Sequence, residues 1–153
     1  MDRSQLIETT GGLKSVSRES LEELSAKRES LVKRLNEVML ARPDIMNLVG
    51  EENLEMMKDN HANHSRFMES VFTNFNAEVL VDTVLWVFRA YRTRGFSSAY
   101  WAAQLNNWIV LYSQTLTKSC FTEIYPFYTW MQIHIPEFVK LSDEKLEGNF
   151  PLH

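Results

Sequence analysis

Ala77-Glu78-Val79-Leu80-Val81-Asp82-Thr83-Val84-Leu85-Trp86-Val87-Phe88-Arg89-Ala90-Tyr91-Arg92-Thr93-Arg94 is the stretch that decides the fold class. Its apolar residues come almost without interruption, a pattern shared by a buried strand and a buried helix. Length separates the two, because strands rarely exceed eight residues and this run is far longer. The reading is therefore a buried helix, with Gly95 as its stop.

Working outward, Ser97 or Ser98 is placed to cap a further helix that reaches about Lys118 and presents Trp101, Leu105, Trp108 and Tyr112. The segment from Phe121 to Leu141 is also helical, but it contains Pro126 and Pro136. Each proline removes a backbone donor, so a kink or a division into two pieces is expected. Upstream, a helix is expected from about Glu51 to Phe75, with Glu51, Glu52 and Glu55 at its positive end. Its inner face would carry Leu54, Met57, His61, His64, Met68 and Val71. Another runs from about Ser17 to Ala41, where Leu21, Leu24, Leu31, Leu35 and Val38 recur near helical spacing. Arg42-Pro43 ends it, since the residue before proline is pushed out of the helical region. Residues 1–15 show no sustained period around Gly11-Gly12 and read as a mobile lead-in to a single domain over 16–153. With no alternating strand pattern and no repeat, the class is all-α, a helical bundle.

The chain has 153 residues, enough for one domain with a real core. Hydrophobic residues make up 44% and charged residues 24%, the balance of an ordinary globular protein rather than a disordered one. A formal charge of -4 offers no basic face for a phosphate backbone, so nucleic acid is not an expected partner. The single cysteine, Cys120, rules out an intrachain disulfide and fits a reducing cytoplasm. No apolar run approaches the roughly 18 residues that a membrane span needs, and Met1 to Leu13 lacks a signal-peptide pattern. All four tryptophans lie between Trp86 and Trp130, so the second half is expected to build most of the core or a pocket in it.

The clearest polar cluster is Asp59-Asn60-His61-x-x-His64-x-Arg66, on a helix whose other inward positions are Met and Phe. An apolar lining with a few convergent polar groups is the usual composition of a ligand site, and equally of a helix edge between core and solvent. His61 and His64 would need at least one more ligand to hold a metal, and no metal site is assigned. A haem globin needs a proximal histidine on the next helix, where none occurs before His134. Arg89, Arg92 and Arg94 either bind carboxylates or compensate a helix C-terminus. Cys120 has no histidine close in sequence, and no Gly-x-Ser-x-Gly or phosphate-binding loop exists, so no catalytic residues are assigned and the chain reads as a binding protein rather than an enzyme.

Several strings in order between Met57 and Val110 resemble the phycobiliproteins, globins that carry linear tetrapyrroles. Arg66-Phe67-x9-Asn76 is similar to that family's Arg-Tyr-x9-Asp, and Val79-Leu80-Val81-Asp82 to its Val-Leu-Asp-Asp. Arg89-x5-Gly95 resembles the close of its next helix, and Phe96-Ser97-Ser98-Ala99-Tyr100-Trp101-x3-Leu105 its Leu-Ser-Pro-Ser-Trp-Tyr-x3-Leu. The resemblance implies a globin-like bundle and a bilin, such as biliverdin or phycocyanobilin. Met57 stands where the family has its thioether cysteine, so the pigment would be held noncovalently. Asp59 or Asn60 would stand for the carboxylate that accepts from the pyrrole nitrogens, with His61 or His64 as substitutes. Phe67, Tyr100 and Trp101 would sandwich the conjugated body, while Arg66 or the Arg89 to Arg94 group would take the propionates. The closest type is the bilin-biosynthesis-associated globins, which implies a carrier or sensor role beside the enzymes that make bilins. A homodimer is left open. The competing reading keeps the fold as a regulatory or sensor interaction module, either ligand-free or binding haem through His61 or His64.

Overall fold

The computed structural model describes residues 1–144. These form α1 (Arg3–Glu8), α2 (Arg18–Leu40), α3 (Ile45–Val49), α4 (Leu54–Thr73), α5 (Ala77–Arg92), α6 (Ser98–Thr115), α7 (Lys118–Ile133) and α8 (Ile135–Asp143), with a 3-10 turn at Glu51–Asn53 and no strand among the described residues. The protein is an all-α helical bundle with a single core.

The helices begin where short polar side chains can satisfy free backbone donors. Ser17, Asn76, Ser97 and Thr117 accept from the backbone N–H groups of Ser20, Val79, Ala99 and Cys120 respectively. α5 ends at Arg92, and Gly95 turns the chain at φ +106°, a conformation that costs a glycine little. α4 starts three residues later than its sequence suggests. The Asn53 side chain does not cap it, but donates to Val49 O at 2.7 Å and Arg94 O at 2.8 Å, pinning the α3–α4 corner to the α5–α6 corner. The proline-bearing segment divides at His134, with Pro136 in the first turn of α8, while Pro126 stays inside α7. A missing N–H is harmless in a first turn, which explains why the break falls at Pro136.

Two expectations are corrected. Residues 3–8 form a helix instead of a mobile lead-in: Asp2 and Gln5 make a capping box, and Leu6 is fully buried. Arg3 also grips Asp82 through two bonds of 2.7 and 2.9 Å, and Trp130 Nε1 donates to Thr9 Oγ1 at 2.8 Å. On α2 the buried stripe is Leu24, Leu31, Leu35 and Met39, whereas Val38 is exposed. Met39 is the i+4 neighbour of Leu35, and that spacing keeps a residue on the same face.

α2 packs on α4, α6 and α7, α5 packs on α8 and α1, and α6 packs on α7. α4 and α5, consecutive in the chain, are not among these principal pairs, and they diverge. Of the fully buried aromatic side chains, Trp108, Tyr100, Tyr128, Phe127 and Phe138 come from α6 to α8, and Phe72 comes from α4.

α2 and α7 cap one another. Glu123 of α7 accepts from Ser17 N at 2.7 Å, from Ser17 Oγ at 2.8 Å and from Ser20 Oγ, at the start of α2. Glu23 of α2 accepts from Thr117 N and Thr117 Oγ1, both at 2.7 Å, at the start of α7. The Ser20 hydroxyl leads the Ser17 groups in holding the Glu123 carboxyl below its usual value, against burial. Burial pushes the Glu23 carboxyl up, but Thr117 and Lys27 together outweigh it and leave it lowered. A carboxylate with a depressed folded pKa contributes stability that is present above its unfolded value and lost as the pH falls through the folded one. Glu23→Gln and Glu123→Gln are each expected to cost about 1–2 kcal/mol at pH 7 by urea unfolding. The difference should shrink below pH 4; a cost that persisted there would show that charge is not what the caps use.

Candidate functional site

The divergence of α4 and α5 leaves a cleft of about 540 Å³. α4 supplies Asn60, Asn63, His64, Arg66, Phe67 and Met68, and α5 supplies Val79, Val84, Val87, Phe88 and Tyr91. α6 contributes Trp101, Gln104 and Leu105, with Met131 of α7 and Phe138 of α8 closing the far side. Ligand pockets usually measure about 300–1,000 Å³ and combine apolar walls with a few polar groups, as here. The aromatic wall is well fixed, since Trp101 stacks on Phe88 at a centroid distance of 4.6 Å and meets Tyr91 edge-on at 5.8 Å.

The polar groups form two chains. Asn60 Oδ1 accepts from Tyr100 OH at 2.7 Å and from Gln104 Nε2 at 2.8 Å. Tyr91 reaches across from α5 to the Asn60 and Asn63 side chains; burial raises its pKa and those two hydrogen bonds oppose the rise. In the second chain His64 Nε2 pairs with Tyr128 OH at 2.8 Å, which in turn pairs with Tyr112 OH at 2.9 Å. Burial pushes Tyr112 and Tyr128 upward, so both stay neutral. Desolvation pushes the His64 imidazole down to about 3, and the part of the ring that remains accessible lines the cleft. His61 is likewise pushed down to about 3, by burial and secondarily by His64.

Of the residues singled out in the sequence, the structure brings Asn60, His64, Arg66, Phe67 and Trp101 to the cleft. Met57 and Tyr100 are fully buried in the core behind it. His61 faces the other way, with Nδ1 2.7 Å from Asn36 Oδ1 on α2 and its ring stacked against Tyr100. Asp59 is exposed and lies outside the lining. Consecutive residues on a helix diverge by about 100°, so Asp59 and Asn60 cannot share an inward direction. Arg92 ties α5 to α8 through Asp143 at 2.6 Å, and Arg89 reaches Glu144 O at 3.4 Å, so these two arginines serve the fold, and none of Arg89, Arg92 and Arg94 lines the cleft.

Gln104, Asn63 and Tyr91 were not singled out. Gln104 had a signal: it is the one polar residue in the buried stripe Tyr100, Trp101, Gln104, Leu105, Trp108, Leu111, Tyr112. Cys120 is buried and its thiol is pushed up by that burial, which makes it a poor nucleophile. Among the described residues no group of three His, Cys, Asp or Glu is arranged to hold a metal. No described helix is long and apolar enough to cross a membrane.

Fold and site together define an all-α protein with one large internal cleft, walled by aromatic rings and side-chain amides. Comparison with known protein families, curated proteins and solved structures finds no match for this chain.

Proposed function

We propose that the chain binds a linear tetrapyrrole noncovalently in the α4–α5 cleft, as a carrier or sensor rather than as an enzyme. The observation that carries this reading is the cleft itself: about 540 Å³, largely apolar, and faced by Phe67, Phe88 and Trp101. Flat aromatic walls suit a conjugated ligand, and Arg66, exposed on α4, suits a propionate at the mouth. The resemblance of the stretch from Met57 to Val110 to phycobiliproteins points to the same ligand class. Met57, buried in the core, leaves no thiol for covalent attachment.

Among the described residues the lining contains no carboxylate, and His64 is neutral across the physiological range. A cationic pigment would be unpaired there, so the pigment binds as its neutral form. Haem is less well served. Among the described residues the one histidine lining the cleft is His64, whose Nε2 is engaged by Tyr128. A ligand-free interaction module would leave the cleft without a purpose.

Titration with biliverdin, followed by pigment absorbance and by quenching of Trp86 and Trp101 fluorescence, tests the proposal. Saturable one-to-one binding is expected, and denaturation should release the pigment intact. Val87→Trp, which places an indole in the cleft, should abolish binding with little change in thermal midpoint, while Asp59→Ala should bind normally. Absence of any spectral change with biliverdin or phycocyanobilin would discard the reading.

A further inference from the structure

His64 lines the cleft midway along its α4 wall, between Asn60 and Met68. Its two ring nitrogens meet different surroundings. Nε2 lies 2.8 Å from Tyr128 OH, and Tyr128 OH lies 2.9 Å from Tyr112 OH, so the three side chains form a hydrogen-bonded chain that runs from the cleft into the core. Nδ1 has no partner among the described residues, yet it is not one of the unpaired atoms shut away from solvent, as His61 Nε2, Trp101 Nε1 and Gln104 Oε1 are. The residue as a whole is only partly buried. Nδ1 is therefore the nitrogen that a molecule in the cleft can reach.

Such a chain has two possible directions, and its buried end decides between them. Tyr112 is 2% exposed, and Tyr128 is the one partner of its hydroxyl among the described residues. If Tyr128 donated to Tyr112, the Tyr112 hydrogen would be buried with no acceptor, an arrangement that folded proteins avoid. With Tyr112 donating to Tyr128, and Tyr128 donating to His64 Nε2, every hydrogen in the chain is used. Nε2 then supplies a lone pair, and a neutral imidazole carries its proton on the other nitrogen. Burial keeps the ring neutral, and its stack on Trp108 at 5.4 Å holds it in place. We infer that His64 presents a fixed Nδ1–H donor to the cleft and selects ligands that offer it an unprotonated ring nitrogen. For its ligand the inference rests on the bilin reading. Neutral biliverdin carries N–H on every ring but one, whose imine nitrogen keeps a lone pair, and His64 donates to that nitrogen. Bilirubin, reduced at the central bridge, carries N–H on every ring and sets a proton against a proton. Sites built to hydrogen-bond a ligand group discriminate against analogues that lack it.

The donor is tested first in the full chain without ligand, by nitrogen NMR of the His64 ring at neutral pH. Nδ1 is expected to show the shift of a protonated imidazole nitrogen and Nε2 that of an unprotonated one. The reverse assignment would overturn the inference whatever the cleft binds. Biliverdin and bilirubin are then titrated into the full chain and into His64→Leu, which removes the donor. The substitution should weaken biliverdin about tenfold and leave the affinity for bilirubin unchanged. An equal loss for both pigments would show that His64 only shapes the cleft, and would overturn the inference while leaving the bilin reading intact. If His64→Leu fails to fold, the Nδ1 proton of the unmodified chain decides: saturation with biliverdin should move it downfield, and an unmoved signal would overturn the inference. Binding of neither pigment would overturn the ligand assignment together with the bilin reading.

Discussion

Lowering the pH from 7 to 5 is expected to remove about 4 kcal/mol of folding stability through His61 and His64. Both imidazoles are pushed from the ordinary 6.5 down to about 3, chiefly by burial. Between those values the unfolded chain binds the protons and the folded chain does not. Stability therefore rises with pH across this window, is complete above 6.5, and is lost progressively below it. Each histidine contributes about 1.4 kcal/mol per pH unit, or about 2 kcal/mol at pH 5. Two such groups consume much of the roughly 5–15 kcal/mol that holds a typical domain together. The groups facing them do not titrate here: Tyr128 and Tyr100 are pushed upward by burial, and Asn36 carries no charge. Glu23 and Glu123 act only nearer their own carboxylate range, so the two effects separate on the pH axis. Urea unfolding at half-unit steps from pH 7.5 to 4.5 measures the slope. The pair His61→Gln and His64→Gln should flatten it, and an unchanged slope in that double variant would refute the assignment.

Trp108→Ala is expected to cost about 3–5 kcal/mol, the range for emptying a buried tryptophan site. Trp108 is fully buried and sits between two rings, His64 at 5.4 Å and Tyr112 at 5.3 Å. It thus joins α6 to α4 just behind the cleft. Trp108→Phe should cost much less than the alanine change. The Trp108 Nε1 is buried without a partner, and removing an unpaired donor relieves part of the loss of packing. Chemical unfolding of the two variants measures both, with a fall in thermal midpoint on the order of 10 °C for the alanine variant. An alanine variant within 1 kcal/mol of the parent would show that the stack is peripheral.

Much of the fold is legible residue by residue. Ser97 announces a helix start, Gly95 a stop and Pro136 a break, because each acts on backbone groups within a turn of itself. α1 carries a local signal too, the Asp2 and Gln5 capping box, but its six residues are too few to show a period. α4 was harder, because three surroundings compete for its faces. His61 faces α2, Asn60 and Phe67 face the cleft, and His64 lines the cleft while its Nε2 reaches Tyr128 of α7. The sequence shows that these residues alternate around a helix, but not which neighbour each one meets. That is why Asn60, His64, Arg66, Phe67 and Trp101 reach the cleft while Met57, Asp59, His61 and Tyr100 do not.

Helical class, capping and the division at Pro136 were written in the order of the residues, since hydrogen bonds four residues apart and a missing proline donor are local matters. The cleft belongs to the tertiary level. It exists because α4 leans on α2 and α5 leans on α8, so that two helices adjacent in the chain part from each other. The unpaired Trp101 donor and Gln104 acceptor are decided at that level as well. Whether a polar atom finds a partner depends on what packing brings within about 3 Å of it, and no spacing along the chain encodes that distance.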